Sequence, residues 1–283
     1  MKNILIDISG KLDDSYSDAI REIKKAADSL KISFFIVGAL ARDIIMEYFY
    51  KIKAPRRTTD IDLGIRVSSW NQFDQLMDSL ELSGEFNKSK EKHRVVYKGT
   101  IIDMVPFGKI SGSSEKVIWP PENEVTMTVM GFNEVYNNST LVRLQDNPIL
   151  EVKVSTLPGL SILKLISWKE NFPDRSKDAE DLLFIMKNYE YAGITDRLYT
   201  AELKLLESAD FDNQIAGILL LGKEINKICT NNTAKHIRKI IDEETSENSA
   251  YHLIKDMLTF RRNDFEGILL LLKKLKEGLF SVR

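Results

Sequence analysis

The sequence predicts an α+β (α/β) chain, a mixed β-sheet with flanking helices followed by an all-helical C-terminal half. Up to about residue 154, segments with helical spacing alternate with short apolar or alternating runs that suit strands. After Pro158 every apolar pattern has helical spacing. The composition, 43% hydrophobic and 29% charged over 283 residues, is that of an ordinary globular chain and excludes wholesale disorder. The length admits one large domain or two smaller ones. The change of pattern sets the expected division at 1–155 and 156–283, with the two halves enclosing a cleft.

In chain order, Ile20, Ile23, Ala26, Ala27 and Leu30 share one face of a helix over Ser17 to Leu30. Phe34-Phe35-Ile36-Val37 reads as a buried strand stopped by Gly38. Leu40, Ile44, Ile45, Tyr48 and Phe49 return to helical spacing. From Asp60 to Val67, apolar Ile61, Leu63, Ile65 and Val67 alternate with Asp60, Asp62, Gly64 and Arg66, as in a half-buried strand. Ser69 caps a helix that turns Trp70, Phe73, Leu76, Met77 and Leu80 inward. Strands are expected at 94–98 and 100–107, folded at Gly99, and again at 125–130, 132–136, 140–144 and 149–154. The helical half reads as 157–170, 177–188, 197–208, 211–229, 232–241, 249–260 and 264–277, with caps at Ser176 and Thr195.

Forty basic against 42 acidic residues give a formal charge of −2, so bulk positive charge does not wrap nucleic acid, although a local basic patch remains open. The single Cys229 makes no internal disulfide and no zinc cluster, and fits a reducing compartment. The N-terminus lacks the apolar core of a signal peptide. The run Ile218-Leu219-Leu220-Leu221 is too short to span a bilayer. The expectation is a cytoplasmic chain without a membrane partner.

Three segments carry chemistry. In Val37-Gly38-Ala39-Leu40-Ala41-Arg42-Asp43, a Gly-led turn enters a helix, so backbone N–H groups of Gly38 and Ala39 can approach phosphate oxygens. Arg42 can add a charged fork; the plainer reading is a tight turn with a surface arginine. In Arg56-Arg57-Thr58-Thr59-Asp60-Ile61-Asp62-Leu63, Asp60 and Asp62 lie two apart in a strand and so share a face. Like charges that close call for solvent or a bridging cation, and Mg²⁺ (or Mn²⁺) suits oxygen ligands; the plainer reading is a polar edge strand. Asp103 is a lone carboxylate in Ile101-Ile102-Asp103-Met104-Val105-Pro106-Phe107, where unpaired burial is costly. It completes the carboxylate set of two-metal phosphoryl transfer, or acts as base for an attacking hydroxyl.

Lys164 lies close in sequence to Asp178 and Asp181, which share a helix face three residues apart; a structural ion network is the bland reading. Trp119-Pro120-Pro121 reads as a rigid loop whose aromatic can stack on a base. His93, His236 and His252 have no zinc-ligand spacing, and Met104, Met127 and Met130 read as core filling.

Gly38-Ala39-x-Ala41-Arg42-Asp43 after a strand, then Arg57-Thr58-x-Asp60-Ile61-Asp62, then Ile102-Asp103-x-x-Pro106-Phe107-Gly108 together resemble the polymerase-β-type nucleotidyltransferases. They are most similar to the AbiEii/AbiGii toxin-like branch of abortive-infection and toxin–antitoxin systems. Lys164-Leu165-Ile166-Ser167-Trp168-Lys169 and Arg175 to Leu182 fit the same branch, and the resemblance spans roughly 30–190. It implies a nucleotidyltransferase-type sheet and Mg²⁺-dependent transfer of an NMP from an NTP to an acceptor hydroxyl. The acceptor would be an RNA end, such as tRNA, or a protein, positioned in part by Arg56 and Arg57, and a cognate antitoxin would be a partner. Carried over by residue, Gly38 and Ala39 replace a Gly-Ser phosphate turn, and Asp60, Asp62 and Asp103 take the metal and catalytic positions. Lys164 meets the nucleotide, with Asp178 or Asp181 beside it. Ala39 departs from the pattern, because it has no hydroxyl to offer a phosphate. A nucleotide-binding sensor with the same fold but no catalysis is the alternative.

Overall fold

In the computed structural model, residues 5–120, 126–258 and 264–281 are described. The chain divides into two compact units, Met1–Thr156 and Leu157–Arg283.

The first unit is built on β1 (Ile6–Asp7), α1 (Asp14–Ser29), β2 (Ser33–Val37), α2 (Gly38–Asp43), β3 (Asp60–Arg66), α3 (Trp70–Leu82), β4 (Phe86–Lys88), β5 (Arg94–Tyr97) and β6 (Thr100–Phe107). There follow β7 (Lys116–Ile118), β8 (Thr126–Thr128), α4 (Phe132–Asn137), β9 (Thr140–Asp146) and β10 (Ile149–Val154). Eight of these strands form one sheet in the order β1-β9-β10-β2-β3-β6-β5-β4, while β7 and β8 pair separately. The large sheet is mixed: β10/β2 and β3/β6 run parallel, and β2/β3 and β5/β6 antiparallel.

Strand alternation decides which side chains reach which face. Ile61, Leu63 and Ile65 of β3 are fully buried on one face, level with Ile102 and Met104 of β6. Residues directly opposite each other in a ladder point to the same side. The opposite face therefore carries Asp60, Asp62 and Gly64 from β3, Asp103 and Phe107 from β6, and Phe35 from β2. Phe35 lies across Gly64, where an added Cβ would stand 2.2 Å from its ring. Phe35, Phe107, Phe132 and Tyr136 pack edge-to-face or tilted at centroid distances of 5.5–6.2 Å, giving the acidic end of this face an apolar floor.

Residues 132–136, expected as a strand, are the helix α4. Phe132, Val135 and Tyr136 stand at i, i+3 and i+4, so one helical face meets Phe35 and Phe107, whereas alternation would have split them. The chain enters it through Gly131 at φ +84°.

The second unit holds α5 (Leu157–Glu170), α6 (Ser176–Asn188), α7 (Thr195–Leu198), α8 (Leu203–Ser208), α9 (Asn213–Ile228), α10 (Asn231–Thr245), α11 (His252–Met257) and α12 (Phe265–Phe280). The helix expected over 197–208 is two short ones, and Arg197 between them is tied to Glu202 and Glu224. Side-chain caps form at Asp212, Thr230 and Asp264. Ser176 and Thr195 are instead the first helical residues, one position past the N-cap, and neither caps. The expected helix end at 259–260 lies outside the described residues, as does Pro121. No helix among the described residues is long and apolar enough to cross a membrane.

Candidate active site

Asp60 and Asp62 come from the start of β3, and Asp103 is the parallel register partner of Asp62 on β6. The three carboxylates therefore share a face, are half-buried, and bring one oxygen each to within 4.8 Å of one another. Among the described residues this is the one group of His, Cys, Asp or Glu side chains so arranged. A Mg²⁺–oxygen distance of about 2.1 Å separates opposite ligands by about 4.2 Å, so small side-chain rotations would seat an ion among these hard donors.

The turn above the acids is shaped for them. Gly38 follows β2, whose Val37 pairs with Asp62, and has φ +66°. A Cβ on Gly38 would fall 1.9 Å from Asp62 Oδ2 and 2.6 Å from its Cγ. Glycine is thus needed twice, for the left-handed backbone and for the close approach of the Asp62 carboxylate. Ala39 is buried beside it. The approach to Asp60 is braced as well: Thr58 Oγ1 donates to Asp60 Oδ1 at 3.0 Å, and Tyr16 Oη donates to the Thr58 carbonyl at 3.1 Å. Burial, then the carboxylates of Asp13, Asp60 and Asp43, push the Tyr16 phenol above its ordinary value.

Arg42 takes a different part from the one expected. Its side chain is fully buried, ion-paired to Asp43 at 2.6 Å, and donates to the Arg56 carbonyl at 3.1 Å. It ties α2 to the segment that leads into Asp60, so its fork is directed at protein and not at phosphate. Trp119 is also redirected: it is 6% exposed and packs against Trp70, Phe73 and His93, which leaves no open ring face for a base. Met104 is core, while Met127 and Met130 are half-buried.

The residue that the sequence reading missed is Arg94. It pairs with Asp103 across β5 and β6, donating from Nε to Oδ1 at 2.7 Å and from Nη2 to Oδ2 at 3.0 Å. The Asp103 hydrogen bond holds the guanidinium above its ordinary pKa. His93 Nε2 stands 3.8 Å from the same Oδ1. The signal was present: once Lys98 and Gly99 turn the hairpin at positive φ, Tyr97 faces Thr100 and counting back places Arg94 opposite Asp103.

Lys164, Asp178 and Asp181 come together in the second unit. Lys164 Nζ lies 2.6 Å from Asp178 Oδ1 and 2.8 Å from Asp181 Oδ2, all three side chains being nearly or fully buried. Burial opposes the Lys164 charge, but the two carboxylates outweigh it and hold the ammonium above the ordinary lysine value. Asp178 Oδ2 has no hydrogen-bond partner, and Arg175 Nε stands 4.0 Å from it.

No family model matches the chain, and no curated protein matches it in sequence. Solved structures similar to it are nucleotidyltransferases by name. One is an antigenic nucleotidyltransferase-like protein from Paracoccidioides brasiliensis (17% identity over 69% of this chain and 92% of that one, TM-score 0.40). Another is ANT(2'')-Ia in complex with adenylyl-2''-tobramycin (15% identity, 69% and 95%, TM-score 0.37). A third is a CCA-adding enzyme in complex with ATP (13% identity, 91% and 66%, TM-score 0.33). At these identities the functional case rests on the geometry of the site itself.

Proposed function

We propose that the protein is a Mg²⁺-dependent nucleotidyltransferase that moves an NMP from an NTP to an acceptor hydroxyl. The observation that carries the reading is the convergence of Asp60, Asp62 and Asp103 on one sheet face beneath the Gly38 turn. Asp60 and Asp62 are assigned as ligands of the divalent cation. When bound, such an ion neutralises phosphate charge and lowers the pKa of a hydroxyl. The backbone of Gly38 and Ala39 is assigned to the triphosphate. The acceptor oxygen attacks the α-phosphorus, the new O–P bond forms as the bond to pyrophosphate breaks, and the hydroxyl proton passes to Asp103.

Lys164, Asp178 and Asp181 enter this reading as an ion cluster holding α5 to α6. A phosphate contact by Lys164 would require its ammonium to leave two carboxylates. The acceptor class favoured by the sequence resemblance is an RNA end or a protein, in the setting of a toxin paired with an antitoxin.

Incubating the protein with each α-labelled NTP, total RNA, protein extract and Mg²⁺ or Mn²⁺ tests the activity. Metal-dependent label transfer abolished by Asp60→Ala or Asp62→Ala is expected. Absence of transfer with every NTP, acceptor and metal contradicts it. Growth arrest on expression, relieved by Asp62→Ala, is the expected outcome for the toxin setting. Ala39 favours the second reading, a sensor: its missing hydroxyl weakens the grip on triphosphate, and tight NTP binding without turnover would select it.

A further inference from the structure

The three clustered carboxylates have one cation already built beside them. Arg94 spends two of its donors on both oxygens of Asp103, so the fork fixes the plane of that carboxylate. Asp60 and Asp62 have no such guanidinium on both oxygens: Asp60 Oδ1 accepts the Thr58 hydroxyl, and Asp62 sits against the Gly38 turn. The row Asp62, Asp103, Arg94 runs across β3, β6 and β5, and places Asp103 between a carboxylate and a guanidinium. Arg94 is itself held from its far side, its Nη1 standing 3.8 Å from Glu91 Oε1. His93 adds a second nitrogen near Asp103, steadied by its ring contact with the buried Trp119.

We propose that Arg94 is a positioning residue that competes with the divalent cation for Asp103. It confines the ion to Asp60 and Asp62 and keeps Asp103 oriented toward the acceptor hydroxyl. The inference rests on the nucleotidyltransferase reading of the same site and deepens it. Two consequences follow from charge and geometry. Three carboxylates with one guanidinium carry a formal −2, which one divalent ion neutralises without nucleotide. Removing the guanidinium raises the site to −3 and frees both Asp103 oxygens as ligands, so metal should bind more tightly while the hydroxyl loses its oriented base. A guanidinium that served only to prop Asp103 in place would have the reverse effect, since its loss would loosen a ligand and weaken metal binding.

The test is calorimetric titration of Mn²⁺ into wild-type protein, Arg94→Ala and Arg94→Lys at low salt, without nucleotide, with Asp60→Ala as control. Thermal melts confirm that the variants are folded. One ion per wild-type chain and binding roughly tenfold tighter in Arg94→Ala are expected, the factor being that for a unit charge about 6 Å from a divalent ion in water. Arg94→Lys, which keeps the charge and loses the fork, should bind Mn²⁺ within about threefold of wild type. In NMP transfer, Arg94→Ala should reach half-maximal rate at less metal yet show a lower kcat. Unchanged or weaker Mn²⁺ binding by folded Arg94→Ala overturns the role of Arg94 while leaving the metal site intact. Failure of every chain to bind Mn²⁺ overturns the metal reading itself, and this inference with it.

Discussion

Replacing Gly38 by alanine perturbs the backbone and the site at a single atom. At φ +66° an L-residue is left-handed, which costs about 1–2 kcal/mol. The new Cβ would also stand 1.9 Å from Asp62 Oδ2 and 2.8 Å from Asp62 Cβ, far inside contact distance. The backbone cannot yield readily, because Val37 is locked in register with Asp62. The Asp62 side chain must therefore rotate away, at a further cost of about 1 kcal/mol. The expected loss is about 2–3 kcal/mol, with Asp62 turned from Asp60 and Asp103. Urea unfolding and Mn²⁺ calorimetry on Gly38→Ala read the two effects separately. Stability within about 0.5 kcal/mol of wild type together with unchanged Mn²⁺ affinity would refute the argument, because both would mean that the Asp62 carboxylate does not depend on the open space at Gly38.

Further outcomes follow from other contacts. Asp60→Ala and Asp62→Ala should each lower NMP transfer by about 10³-fold, the scale of losing several kcal/mol of metal stabilisation, while melting temperatures change little. Lys164→Met leaves Asp178 and Asp181 as buried carboxylates without their cation, and should destabilise the chain by about 3–5 kcal/mol in urea titration. Because the folded-state pKa of Lys164 is raised above 10.5, its contribution to stability is full below that pH and fades as pH rises through the higher folded value. Unfolding midpoints measured above pH 10 should fall in wild type, and the part due to Lys164 should vanish in Lys164→Met. Gly278→Ala puts a Cβ 2.2 Å from the Leu219 carbonyl where α12 crosses α9, and should cost about 1–3 kcal/mol by thermal melting.

The sheet's central strands were legible because burial writes itself as pattern. Phe34 to Val37 is a continuous apolar run in a covered strand, and Asp60 to Arg66 alternates because one face is core and the other holds the acids. The placement of Asp60, Asp62 and Asp103 on one face follows from a period of two and a parallel register, and only the period is visible before folding. Phe132 to Tyr136 misled because five residues of mixed apolar character fit either period, and the aromatic floor of Phe35 and Phe107 decides for helix. Arg42 and Arg94 exchanged expected parts for a related reason. Sequence shows that an arginine is present, whereas the partner is set by neighbours distant along the chain, Arg56 for one and Asp103 for the other. Short edge elements such as β1 and β4, of two and three residues, carry too little periodicity to be read.

The account turns on a cation held by side chains from two adjacent strands. Crystals soaked with Mn²⁺ and a non-hydrolysable NTP, measured at the manganese absorption edge, address this directly. The account predicts an anomalous peak bridging Asp60 and Asp62, with the triphosphate beside the Gly38 turn. A peak bound elsewhere, or nucleotide bound with no ion at these carboxylates, would contradict it.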